Sequence, residues 1–117
     1  MWSISRTITK NIHYVNQLMS GGSFVVIFEL RIEPSEAAVP TIEKGSESEA
    51  IENAFTCISE GLSAFVERRN EVGRPVGKFR VVITDVVPHD DFKAWRFTIA
   101  TASALKEVFA ENETEIS

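Results

Sequence analysis

Cysteine is almost missing from this sequence, and its scarcity already narrows the possibilities. A single Cys57 permits no internal disulfide, so the fold is held by non-covalent forces alone and a cytoplasmic location is the expectation. Cys57 stands beside Ile58 in a helix-like pattern, where a small apolar packing residue is far commoner than a reactive thiol. Histidine is nearly as rare. His13 and His89 are the only two, and no His-Glu-x-x-His, Cys-x-x-Cys or Gly-x-Ser-x-Gly spacing occurs, so metal sites and activated nucleophiles lack their usual framework. The one constellation of that kind is His89 with Asp90 and Asp91, which a loop histidine ahead of a helix cap explains more simply. No catalytic residue, cofactor or metal is expected. A Gly-x-x-x-x-Gly-Lys-Ser/Thr loop is missing too, which excludes GTP binding by that mechanism. The longest apolar run, Phe24 to Phe28, falls far short of the roughly 20 residues that cross a membrane. The start Met1-Trp2-Ser3-Ile4 lacks the basic-then-apolar order of a secretion signal, so no membrane partner is expected.

What is present is ordinary for a globular domain. With 117 residues, 44% of them apolar and 25% charged, the chain has the material for one domain with a real core. Its net charge of -5 argues against a protein that holds nucleic acid mainly through phosphates. The charge is uneven, however. Acidic residues dominate up to position 67, whereas Arg68, Arg69, Arg74, Lys78, Arg80, Lys93 and Arg96 make the next stretch basic, and Glu111, Glu113 and Glu115 return the end to acidic. Arg68, Arg69, Arg74, Lys78 and Arg96 therefore form a candidate basic patch, with a solvated polar face as the simpler explanation.

Periodicity supplies the elements. Trp2, Ile4 and Ile8 alternate with polar residues, and Ile12, Tyr14 and Leu18 continue a weaker alternation after Lys10-Asn11, which predicts two strands. Ser20-Gly21-Gly22-Ser23 reads as a tight connection. Phe24, Val26, Phe28, Leu30 and Ile32 define one face of the clearest strand, stopped at Pro34. Residues 35–47 read as loop, and Ser46 with Glu49 has the form of a capping box. The helix that follows carries Ile51, Ala54, Phe55, Ile58, Leu62, Phe65 and Val66 at spacings of three and four, with Asn70 or Gly73 to end it. After Gly73 and Pro75, Phe79, Val81 and Ile83 predict a strand over 79–84. Asp91 is placed to cap a helix from about Phe92 to Ala110, with residues 110–117 as a flexible acidic tail. Along that helix Trp95, Ile99, Ala102 and Phe109 lie on one side and Phe97, Ala100, Ala104, Leu105 and Val108 on another. The order β-β-β-α-β-α buries both apolar stripes most simply as an α+β two-layer sandwich, a four-stranded sheet with two helices on one face. Phe24, Phe28, Phe55, Ile58, Leu62, Phe79, Val81, Ile83 and Phe97 are expected to share its core.

Several short motifs fall in a familiar order. Arg6-Thr7-Ile8-Thr9-Lys10, the pair Gly21-Gly22, Glu33-Pro34, Gly73-x-Pro75-Val76, the strand from Phe79 to Thr84, His89, Phe97-x-Ile99-Ala100 and Ala104-Leu105-Lys106-Glu107 together resemble domain IV of the translation elongation factor G group of GTPases. The resemblance covers nearly the whole chain. It implies the fold of the second domain of ribosomal protein S5, with a left-handed strand-helix-strand crossover where right-handed ones are the rule. It also implies a non-enzymatic module whose tip, the Gly21-Gly22 loop with His89, Asp90 and Lys93, touches the ribosome or structured RNA. In this sequence that tip differs in charge: the glycine loop passes from Ser23 straight to Phe24 with no basic residue, and Asp90-Asp91 repel phosphate. A protein-interaction or self-associating scaffold with no RNA role is the competing expectation. A basic cluster near His89 would favour RNA, and an exposed apolar patch or a free sheet edge would favour protein partners.

Overall fold

In a computed structural model of the chain, residues 1–17, 23–88 and 94–116 are described, with backbone only for 15–17, 23–25 and 94–95. Two long strands, β2 (Ile8–Gln17) and β3 (Ser23–Pro34), form an antiparallel hairpin whose register pairs Ile8 with Ile32 and Ile12 with Phe28. Beside β3 runs β5 (Phe79–Val86), antiparallel, and beyond it β4 (Thr41–Lys44), parallel to β5, giving the sheet order β2-β3-β5-β4. Helices α1 (Glu49–Glu71) and α2 (Ala94–Asn112) cover one face of this sheet. A separate ribbon of β1 (Trp2–Ile4) and β6 (Glu113–Glu115) joins the two ends of the chain. The architecture is an α+β sandwich.

Four local expectations change. The first strand does not belong to the main sheet: Trp2–Ile4 pairs with Glu113–Glu115, and Ile8 starts β2, which runs through Lys10-Asn11 without a break. The fourth strand of the sheet is instead Thr41–Lys44, inside the stretch read as loop. Only Ile42 of β4 packs on the core, and the rest of the strand is held by backbone pairing to β5 and by surface contacts of Glu43 and Lys44, which leave no apolar periodicity to read. The acidic tail is not free, since α2 continues to Asn112 and β6 follows at once. Finally, Ser48 rather than Ser46 caps α1, its hydroxyl accepting from the Ile51 N–H at 3.4 Å. Asp91, the expected cap of α2, lies outside the described residues.

The end of α1 follows the expected chemistry. Gly73 takes φ +76°, its N–H donates to the Asn70 carbonyl and the Arg74 N–H donates to the Arg69 carbonyl, which together satisfy the last free carbonyls of the helix in a Schellman arrangement. In β5 the alternation breaks after Ile83. A bulge opposite Glu29 and Leu30 inserts Thr84, whose hydroxyl donates to the Glu29 carbonyl at 3.0 Å, and Val86 then takes the core-facing role that Asp85 would otherwise have.

The core lies between sheet and helices. Phe28, Ile58, Leu62, Phe79, Val81, Ile83 and Phe97 are buried there as expected, joined by Leu30, Ile32, Leu105 and Phe109. On α2, Phe97, Ala100, Ala104, Leu105 and Val108 are buried together with Phe109, which the sequence pattern had grouped with Ile99 on the other side, whereas Ile99 is 46% exposed. Phe55 is only half-buried, with the Lys44 ammonium 5.1 Å from its ring centre. The two positions should therefore differ in cost. Ile58→Ala is expected to lose about 2 to 5 kcal/mol, and Phe55→Ala distinctly less because water can fill part of its site. Equal shifts in denaturant midpoint would contradict this packing.

The other face of the sheet carries Val82 and Ile27 beside an ion-pair cluster. Arg80 donates to the Glu33 carboxylate and Arg31 Nε lies 3.1 Å from its second oxygen. These contacts, with the Arg80 hydrogen bond first, outweigh partial burial and hold the Glu33 carboxyl below the ordinary range. A depressed pKa means that the stabilisation is present above the unfolded value, about 4.3, and is lost as pH falls through the folded value. Glu33→Gln is accordingly expected to be less stable than the parent at neutral pH, with the difference shrinking below that range. Denaturant midpoints measured across pH check this, and a constant difference would argue against it.

Candidate functional site

The tip residues implied by the resemblance, Gly21, Gly22, His89, Asp90 and Lys93, lie outside the described residues. The strands that lead to them are described. The last pair of β3 with β5 is Phe28 with Val86, after which the Val87 N–H donates to the Ile27 carbonyl. Ser23 to Val26 have no β5 partner, so at about 3.4 Å per residue the β2–β3 hairpin runs roughly 13 Å past the end of β5. Residues 18–22 and 89–93 thus connect to strand ends on the same side of the sheet.

The candidate basic patch divides. Arg68, Arg69 and Arg74 come together at the C-terminal end of α1. Arg96 is buried near the start of α2. Lys78 occupies a left-handed turn, φ 56°, whose carbonyl accepts from the Ser3 hydroxyl and the Ser35 N–H. Arg80 belongs to the open sheet face with Glu33.

The arginine cluster is built from both chain ends. Arg69 places its guanidinium 2.7 Å from one Glu113 oxygen, donates through Nε to the Arg74 carbonyl at 2.7 Å, and lies over the rings of Phe65 and Phe109. Arg74 reaches the other Glu113 oxygen at 2.8 Å and stacks over Trp2, 4.3 Å from the ring centre. Glu113 is in position only because β6 pairs with β1. Two cations therefore share one carboxylate whose side chain is 16% exposed.

Beside them a groove of about 530 Å³ opens between α1 and α2. Ala64, Phe65, Val72, Ala102 and Ala110 supply its apolar floor, and Arg68, Arg69, Arg74 and Lys106 its cationic rim. The helices run parallel: Thr98 donates to the Cys57 carbonyl near one end, and Phe109 meets Phe65 near the other. Phe109 also meets Phe79, the first residue of β5, while Phe97 meets Phe28. The groove is thus at the opposite end of β5, roughly 23 Å along the strand, from where the chain leaves toward His89. Sequence reasoning assigned neither Lys106 nor Glu113 to a site. The small residues Ala64, Ala102 and Ala110 were the available signal for a shallow surface between helices.

Other chemistry is sparse. Burial, then the nearby Glu60, pushes the Cys57 thiol up, away from the reactive thiolate. Among the described residues no three His, Cys, Asp or Glu side chains gather to hold a metal ion, and no helix is long and apolar enough to cross a membrane.

No protein-family model matches the chain, nor does any curated protein sequence. Among solved structures, it is similar to a protein from Thermus thermophilus, at 23% identity and a TM-score of 0.77, over 96% of this chain and 17% of that one. The chain thus spans about a sixth of the length of that Thermus protein, and the likeness shows a shared fold. The phosphomevalonate kinase of Streptococcus pneumoniae also aligns, at 10% identity and a TM-score of 0.46, over 97% of this chain and 37% of that one. That likeness carries no functional weight.

Proposed function

We propose that this chain is a non-enzymatic protein-docking domain built on the scaffold of domain IV of elongation factor G. The order of short motifs along the sequence supports the family reading, and the shared fold with a much longer bacterial chain is compatible with it. One observation carries the choice of partner class. The described cations that cluster do so around an apolar-floored groove at the far end of β5 from the His89 connection, which is the arrangement that favours protein over RNA. The net charge of -5 works in the same direction by repelling a polyanion at long range.

A second reading, ribosome contact through the tip, is favoured by the β2–β3 hairpin that runs past the end of β5. Co-sedimentation with ribosomes across a salt series separates the two. The docking reading expects no salt-sensitive association, together with a discrete protein adduct, identified by mass spectrometry, from a photo-crosslinking residue at Val72. Salt-sensitive ribosome binding that His89→Ala combined with Lys93→Glu abolishes would overturn it in favour of the tip.

A further inference from the structure

The groove between the C-terminal halves of α1 and α2 combines two properties that together specify an occupant. Its floor is apolar, with Val72 half-exposed beside Phe65 and Ala102. Of the charged residues that line it, Arg68, Arg69, Arg74 and Lys106 are cationic and Glu113 is acidic. Arg69 and Arg74 share Glu113 alone, and Lys106 forms no ion pair among the described residues. Arg68 meets Glu71 only at the surface, where solvent screens the contact.

An apolar floor by itself would accept any hydrophobic segment, and cations by themselves any polyanion. RNA fits poorly here. The guanidinium groups of Arg69 and Arg74 are already held by Glu113 and face the rings of Phe65, Phe109 and Trp2, so they contribute potential but few free donors and no open stacking surface. A short segment in the groove feels mainly charges within a Debye length of about 8 to 10 Å. The acidic excess of the whole protein therefore does not exclude an acidic partner at this position.

We infer that the groove docks a short acidic amphipathic protein segment, its apolar side chains against the exposed Ala64, Val72 and Ala110 and its carboxylates toward Arg68 and Lys106. This rests on the protein-docking reading and adds the chemistry of the partner. The mode is that of a peptide laid between two helices.

Fluorescence anisotropy with a labelled peptide of repeating Glu-Glu-Leu-Leu tests it. The peptide is expected to bind saturably, a Lys-Lys-Leu-Leu peptide not at all, and a Glu-Glu-Ser-Ser peptide at least about tenfold more weakly. Reversing Arg68 and Lys106 together to Glu is expected to weaken binding about tenfold while lowering the melting temperature by only a few degrees, because both side chains are exposed and the Arg68 contact with Glu71 is at the surface. Equal affinity for the serine peptide, indifference to the double reversal, or displacement of the peptide by a single-stranded RNA oligonucleotide would each overturn the inference. So would a dimer in sedimentation experiments that Lys106→Glu dissolves, which would make a second copy the occupant. Failure of the peptide alongside a protein adduct at Val72 would sink this inference and spare the docking reading; ribosome binding through His89 would sink that reading itself.

Discussion

Phe109→Ala is expected to lower stability by about 3 to 5 kcal/mol, among the largest effects of any single substitution in this chain. Phe109 is fully buried, with its ring centre 4.9 Å from Phe79 in an edge-on contact and 5.1 Å from Phe65 in a tilted one. It therefore joins α2, β5 and α1 at one point, and aromatic pairs of this geometry add to plain area burial. The Arg69 guanidinium over the same ring would also lose a face, loosening the link to Glu113 and the β1–β6 ribbon. A loss of that size is a large share of the roughly 5 to 15 kcal/mol that holds a small domain together. Denaturant unfolding of the variant measures it directly. A loss below about 1 kcal/mol would mean that neighbouring rings collapse into the cavity and that the three elements are not joined there.

Enlarging Gly61 is expected to have a comparable effect by the opposite route. A Cβ at this position would lie 2.6 Å from the Thr98 carbonyl oxygen and 2.6 Å from the Thr101 Cβ. One of those atoms is backbone, so relief requires α2 to move away from α1. Gly61→Leu is expected to cost about 3 kcal/mol, the upper part of the range for overpacked cores. Gly61→Ala is the more informative change. Alanine returns about 1 kcal/mol of helix propensity, and the contact distances argue that overpacking exceeds it, so the variant should be less stable than the parent. An increase in thermal midpoint for Gly61→Ala would show that the helices adjust at little cost and that their close approach is not fixed by this glycine.

Both effects act on the two helices that form the groove, which separates structural from functional readouts. Phe109 and Gly61 set the distance between α1 and α2, whereas Arg68 and Lys106 stand on the exposed rim. Peptide binding that fails in a Phe109 variant therefore says little by itself, and the rim reversal is the decisive change.

Elements with strong side-chain periodicity were legible in the sequence. The stripe from Ile51 to Val66, the alternation from Val26 to Ile32 and the run Phe79, Val81 and Ile83 each commit a face to burial, because moving a strand by one residue or turning a helix would expose every apolar side chain at once. Those three faces already require a sheet with helices on one side. Gly73 at the end of α1 was legible for a related local reason, since the left-handed turn is open to glycine at no steric cost.

Tertiary structure alone decided the rest. Thr41–Lys44 becomes a strand because the β5 edge offers it backbone partners, and Trp2–Ile4 leaves the main sheet because Glu113–Glu115 is there to pair with it. Backbone hydrogen bonds of this kind are nearly independent of side-chain identity, so no local pattern announces them. The groove belongs to the same class. Lys106 and Arg68 are far apart in sequence, and Glu113 reads as one of several acidic residues near the chain end until β6 carries it to Arg69 and Arg74. Charge content was fixed by composition; which charges neutralise one another, and which are left facing an apolar floor, depended on how two helices and a terminal ribbon pack.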